Sequence, residues 1–187
     1  MKIKEHTQHL SKTIDDFRDF LKHDKSQEVF NLDDVIKTSL SLTEALYKDN
    51  NINIDIKKGN ENFTLNGSSS ELSQVFLNIL NNAKDVLVEK EVQERFVNIE
   101  ILKENDLVVV KIFDNAGGIP DAIREKVFDP YFTTKHKSQG TGIGLFMSKK
   151  IITQHFNGNI EVDNVDKIVD GNNCFGAEFS TKIKFVT

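Results

Sequence analysis

Four short clusters in a set order restrict this chain more than any other feature. Asn78 and Asn82 lie four residues apart in a stretch of helical periodicity. Asp114-Asn115-Ala116-Gly117-Gly118-Ile119 follows an apolar run. Then come Phe128-Asp129-Pro130-Tyr131-Phe132-Thr133-Thr134-Lys135 and Gly140-Thr141-Gly142-Ile143-Gly144-Leu145. One glycine cluster alone is a weak sign of a phosphate site, and four clusters in this order and spacing are a strong one. The last is not a Walker loop, since no Lys-Ser or Lys-Thr follows its final glycine. Nor is it a Rossmann turn, because it does not follow the first strand of a βαβ unit.

The chain's 187 residues suit one domain with an appendage, and 38% hydrophobic residues suffice for one core. Fourteen phenylalanines and no tryptophan leave much of the packing to Phe. A net charge of -5 argues against a general nucleic-acid binder, which usually carries basic patches. The single cysteine, Cys174, excludes an intramolecular disulfide, fits a reducing compartment and reads as a half-buried strand residue. No window approaches the ~20 apolar residues of a membrane span.

Residues 1–24 read as a helix in which Ile3, Thr7, Leu10, Ile14, Phe17 and Leu21 alternate spacings of four and three, a heptad seam. Such a stripe needs a partner, either another helix or the helix's own domain. A polar joint at 24–28 leads into a helix from Asn31 or Leu32 to Lys48, with Val35, Ile36, Leu40, Leu42 and Leu46 apolar. Ile52, Ile54 and Ile56 alternate as a strand, and Phe63 to Leu65 form a second. Ser68 and Glu71 have capping-box spacing before a helix from about Ser70 to Glu89. Its core face is Leu72, Val75, Phe76, Ile79, Leu80, Ala83 and Leu87; its polar stripe is Glu71, Gln74, Asn78, Asn82 and Asp85. Strands are expected at 96–102, 107–113, 159–165 and 176–186, and a helix at 143–156.

The four clusters resemble the N box, first glycine box, F box and second glycine box of sensor histidine kinases, within the gyrase, Hsp90, histidine kinase and MutL group of ATP-binding domains. The resemblance covers nearly the whole chain. It implies an α/β fold of Bergerat type: a two-layer sandwich of a mixed sheet with helices on one face, preceded by an N-terminal helix. Residues 1–25 then look like the second helix of the dimerisation and phosphoacceptor hairpin, and 26–187 like the catalytic ATP-binding domain. The implied activity is transfer of the γ-phosphate of ATP to a histidine on that hairpin, with a response regulator downstream and a homodimer through residues 1–25. The implied location is cytoplasmic, as a soluble kinase's catalytic end or the cytoplasmic part of a membrane-bound sensor.

Residue chemistry runs parallel to the resemblance. Asn78 and Asn82 lie one turn apart on one helix face, and amide oxygens suit hard magnesium, which also leans on substrate phosphates. In the family Asn82's position binds Mg2+ and Asn78 supports it. Asp114 can accept a hydrogen bond from the adenine amino group, where guanine presents a carbonyl. Gly118 and Ile119 complete that loop; Ala116 stands where the family usually has glycine. From about Pro120 to Gly140 the chain reads as a lid: Phe128 and Phe132 clamp on apolar surface, and Thr133, Thr134 and Lys135 supply donors and charge. His136 and Lys137 fit either the lid or a plain basic loop. Amides around Gly140, Thr141, Gly142, Ile143, Gly144 and Leu145 suit a triphosphate. Asp85 matches an Asn-Ala-Lys-Asp variant of the family pattern. The expected catalytic residues are thus Asn78, Asn82 and Lys135.

Gyrase- and MutL-like hydrolases place a glutamate one turn before the magnesium asparagine; here Asn78 stands there, and an amide is no general base. A phosphoacceptor histidine in its usual context, followed soon by proline, is missing, because Pro120 and Pro130 are the only prolines. His6 and His9 read as solvated helix residues. The expectation is a catalytic half that transfers to a supplied histidine and autophosphorylates poorly. An ATP-dependent switch without transfer activity and an anti-sigma-type serine kinase are the alternatives.

Overall fold

Asn31 starts the first long helix because its side-chain oxygen accepts the Asp33 amide at 2.8 Å, satisfying one of the free donors of the first turn. Asp33 and Asp34 then add favourable charge at that end. The computed structural model describes residues 27–135, 140–169 and 171–186. The heptad segment 1–24, the supposed hairpin helix, and His136 and Lys137 lie outside the described residues.

The described elements are β1 (Glu28–Asn31), α1 (Leu32–Asp49), β2 (Ile52–Lys58), β3 (Thr64–Gly67), α2 (Ser69–Glu89), β4 (Arg95–Glu104) and β5 (Leu107–Asp114). They continue with a single turn α3 (Asp121–Arg124), a 3-10 turn (Glu125–Phe128), α4 (Gly144–Lys150), a π turn (Ile151–His155), β6 (Asn159–Val169) and β7 (Asn172–Lys184). Five strands form one mixed sheet in the order β2-β4-β5-β7-β6, with β2 and β4 parallel and the other pairs antiparallel. β1 and β3 form a separate antiparallel pair. The expected two-layer α/β sandwich is the one observed.

One sheet face supplies Ile99, Ile101, Val108, Val110, Ile112, Ala177, Phe179 and Ile183 to the core, and α2 lays Leu72, Val75, Phe76, Ile79, Leu80, Ala83 and Leu87 against it. That helix face is the one its periodicity predicts. The opposite sheet face is held by charge instead. There Lys167 pairs with Glu178 at 2.6 Å and lies 5.3 Å over the Phe113 ring.

Several local expectations are corrected by packing. Residues 24–26 of the polar joint lie outside the described residues, and its last residue, Glu28, already belongs to β1, which pairs with β3. On α1 the buried positions include Ser39 and Thr43, while Leu42 and Leu46 stay exposed. The reason is close approach: Ser39 Oγ meets Ser73 Oγ of α2 at 3.0 Å, which a larger apolar side chain would prevent. Ser68 does cap α2, but Glu71 does not return the capping bond; it is buried and faces His155 Nδ1 at 2.8 Å. The helix expected to run to Phe156 is α for one half and widens to a π turn for the other. β6 and β7 extend past residues 165 and 176 into a longer hairpin. The Asp-, Asn- and Gly-rich sequence there reads as loop, but register with a neighbouring strand overrides weak local propensity.

Candidate functional site

Asn78, Asn82 and Asp85 fall on the half-buried polar stripe of α2, and they line one side of an open cleft of about 1280 Å3. The floor is Asp114 with Gly118 and Ile119 behind β5; the far wall is Phe132 to Lys135 and Gly140 to Leu145. Ile123, Val127, Met147 and Ile151 add apolar lining to the cleft. The fold therefore gathers every expected site residue but one. Phe128 does not line the cleft: it is 8% exposed and packs edge-on to Phe179 at 6.2 Å, closing the core beneath the lid.

The Asp114 end of the cleft is closely hydrogen-bonded. Asp114 is 4% exposed, and its Oδ1 accepts the Ala116 amide at 3.0 Å. Burial pushes its carboxyl up to about 6, against the pull of the Ala116 amide, the Lys90 charge and the Ala177 backbone. Asn115 ties the loop to the start of β4 through Phe96 N at 2.9 Å and Glu94 O at 2.7 Å. Gly118 takes a left-handed φ of 72°, and a Cβ there would lie 2.6 Å from Asn164 Oδ1, so this position requires glycine. Tyr47, whose hydroxyl donates to Leu80 O at 2.9 Å, has its phenol pushed up by burial and by the charges of Asp114 and Asp85.

The glycine-loop end is organised by side chains. Lys135 Nζ donates to Asn82 Oδ1 at 3.0 Å and to Asp85 Oδ2 at 2.7 Å, and Lys84 pairs with the other Asp85 oxygen. Burial raises the Asp85 carboxyl, but the bonds and charges of Lys135 and Lys84 outweigh it and hold it below the usual range. Asn78 Nδ2 donates to Gly144 O at 3.0 Å and to Ser148 Oγ at 3.1 Å, while its oxygen accepts from Gln74 at 3.2 Å. It therefore pins α4 to α2. Thr133 Oγ1 accepts the Lys135 amide at 3.1 Å, and Thr134 lines the cleft beside it. Thr141 Oγ1 accepts the Ile143 amide at 3.3 Å, which leaves its hydroxyl hydrogen to donate. Gly142, at φ 66°, lies directly under the Tyr131 and Phe132 carbonyls, where any side chain would collide. Leu145 packs on the core, and Ile143 is buried.

Sequence reading missed Lys90, Asn164 and Ser148. Lys90 looks like one more charge at a helix end, and Asn164 like a polar residue in an alternating strand. Only the fold brings them to the loop after β5.

An open cleft with a buried carboxylate and apolar side chains in its lining, and a glycine-rich loop with a cation across from α2, suits a nucleotide-binding domain of α/β type. The profile of the family described as histidine kinase-, DNA gyrase B-, and HSP90-like ATPase matches residues 67–186, and the chain belongs to that family. It is 34% identical over 137 residues to sporulation kinase A of Bacillus subtilis (strain 168), covering 73% of this chain and 22% of that protein's length. It therefore spans about a fifth of that relative. The nucleotide-free catalytic domain of histidine kinase ThkA superposes with a TM-score of 0.70 at 28% identity, over 85% of this chain and 95% of that one. The fold also matches ThkA in its complex with the response regulator TrrA, at TM-score 0.69 and 24% identity, over 96% of this chain and 49% of that one. No described helix is long and apolar enough to cross a membrane.

Proposed function

We propose that this chain is the ATP-binding catalytic part of a sensor histidine kinase, transferring the γ-phosphate of ATP to a histidine on a dimerisation hairpin. One observation carries the choice of transfer over hydrolysis. Asn78 stands one turn before Asn82, where hydrolytic relatives place a glutamate, and its amide is engaged with Gly144, Ser148 and Gln74. No carboxylate stands at that position to take a proton from water, and Asp85 is engaged by Lys135 and Lys84.

The residues divide the work. Asp114 accepts the adenine amino hydrogen, and Ile119, Ile123, Val127 and Met147 hold the ring between apolar surfaces. Amides of residues 140–144 and the Thr141 hydroxyl hold the phosphates. Lys135, with Thr133, Thr134 and Phe132, closes over them and steadies the charge of the transferring group. Magnesium fits the donors present, since Asn82 Oδ1 and Asp85 Oδ2 already converge on one positive charge, Lys135 Nζ. When bound it would neutralise phosphate charge. Asn82 would hold it with Asp85 beside it, and Asn78 would fix the helix that carries the glycine loop. Residues 1–25 would supply the hairpin's second helix and the dimer contact, and a response regulator would take the phosphate onward, as the ThkA–TrrA complex suggests for that kinase.

The test is to mix the chain with γ-labelled ATP, magnesium and a separately prepared hairpin carrying a histidine. Transfer predicts acid-labile label on the hairpin and little free phosphate. Retained ATP without label on the hairpin would replace this reading with a nucleotide-dependent switch. Acid-labile label on the chain alone would mean that one of its five histidines is an acceptor.

A further inference from the structure

We infer that Lys90 and Asn164 are positioning residues for adenine recognition, holding the backbone of residues 116–119 from opposite sides. The inference rests on Asp114 being the adenine contact. Neither residue belongs to the four sequence clusters, and they lie 74 positions apart (164 − 90).

Lys90 caps the C-terminus of α2 and reaches over the loop. Its Nζ donates to Ala116 O at 2.7 Å and to Gly118 O at 3.3 Å. Two carbonyls two residues apart face one ammonium because Gly117 and Gly118 both take left-handed φ, 78° and 72°. That curl has no helix or ladder to hold it, so its orphan carbonyls need a donor from elsewhere.

The other side is closed by the long β6–β7 hairpin. Asn164 Nδ2 donates to Ile119 O at 2.7 Å, and Asn164 Oδ1 accepts Ile119 N at 2.7 Å. One side-chain amide thus makes the pair of bonds that a neighbouring strand would make. From β7, Phe175 O accepts Gly117 N at 3.0 Å. The loop is fixed before any ligand arrives, which lowers the ordering entropy of binding.

Charge adds a second role on one side only. The groups facing Asp114 are Lys90 from the end of α2, Tyr47 from α1 and the backbone amides of Ala116 and Ala177. Burial favours the protonated carboxyl, and Lys90 opposes it. Lys90 should therefore influence the pH at which Asp114 becomes a full acceptor, whereas neutral Asn164 should not.

The experiment is calorimetric titration of the full chain with ADP between about pH 5 and 8, with thermal unfolding of each variant alongside. Lys90→Met and Asn164→Ala should each weaken ADP by about tenfold, the scale of a lost positioning hydrogen bond. Both side chains lie outside the apolar core, so unfolding should stay cooperative. Lys90→Met should also move the acid limb of ADP binding to higher pH, Lys90→Arg should restore it, and Asn164→Ala should leave it in place. Lys90→Gln, which keeps a donor without the charge, should retain part of the affinity and still shift the limb.

If Lys90→Met and Asn164→Ala both bind ADP within about twofold of the parent while Asp114→Asn does not bind, this inference fails and the adenine reading survives. If Asp114→Asn also binds normally, the adenine reading fails with it. Loss of cooperative unfolding in Lys90→Gln and Asn164→Ala would make the two residues structural and overturn the inference too.

Discussion

The two ends of the cleft are built differently. At the base end, the Asn115 side chain and backbone groups of residues 115–119 are bonded to the start of β4, the end of α2 and the β6–β7 hairpin. At the phosphate end, the contacts between walls run through long side chains, with Lys135 reaching from the lid to Asn82 and Asp85 on α2. A backbone held from three elements keeps one shape. A lysine on a flexible stem can exchange a carboxylate for a phosphate without rearranging the fold. On the proposed reading, the base meets a preformed surface and the phosphates meet charge that re-partners. Recognition of a planar ring rewards rigidity; a group that must be given away rewards contacts that can be remade.

That contrast can be broken by comparing adenosine with ADP and ATP. The largest effect should come from Asp114→Asn, which removes the full acceptor: adenosine and ADP should both weaken by more than about a hundredfold, as when a buried polar partner is lost. Equal affinity in calorimetry would show that the base lies elsewhere. The same variant should unfold at a higher temperature above pH 6. Asp114 is raised in the folded state to about 6 from 3.8, so its contribution to stability is present below the unfolded value and is lost as pH climbs through about 6. Removing the ionised group should recover on the order of 3 kcal/mol at pH 8 and almost nothing at pH 4. A thermal midpoint that does not depend on pH in this comparison would contradict the burial argument. For the parent chain, ADP affinity should fall as pH drops from about 7 to 5, as Asp114 gains its proton.

Next in size, Asn82→Ala should cost ATP about thirtyfold in magnesium, with adenosine unchanged, since it acts only at the phosphate end. A parallel loss for adenosine would erase the distinction between the ends. Gly118→Ala should weaken adenosine and ADP alike, by about tenfold, because a methyl group meets Asn164 in a left-handed conformation. The smallest effect is expected from Lys135→Met: about threefold to tenfold on ATP and none on adenosine, because Lys84 still sits beside Asp85. Its effect on transfer to a supplied hairpin should exceed its effect on binding.

Much of this was legible before folding. The α2 face, its Ser68 cap and strands near 52–56, 96–102 and 107–113 follow from periodicity, and the convergence of Asn78, Asn82, Asp114 and the loop at 140–144 follows from the family resemblance. Side-chain assignments were less secure. Phe128 reads as a partner of Phe132 flanking Asp129-Pro130, but one of the two is a core residue and the other a cleft residue. Glu71 belongs to the polar stripe by spacing, yet it is buried against His155, 84 positions later. Leu42 and Leu46 look like core and are exposed, because two small hydroxyl residues bring α1 and α2 together instead.

The sequence by itself determined which surfaces are apolar, where helices begin, and which few residues can handle a base, a phosphate or a cation. These depend on spacing of a few residues, and a helix or strand turns such spacing directly into a shared face. Only the tertiary structure decided what holds those residues still. Lys90 and Asn164 reach the loop of residues 116–119 because the end of α2 and the β6–β7 hairpin arrive on either side of β5, and Asn78 fixes α4 because two helices meet there. Contacts between positions far apart in the chain exist only after the sheet has ordered its strands, and no local pattern of residues records them.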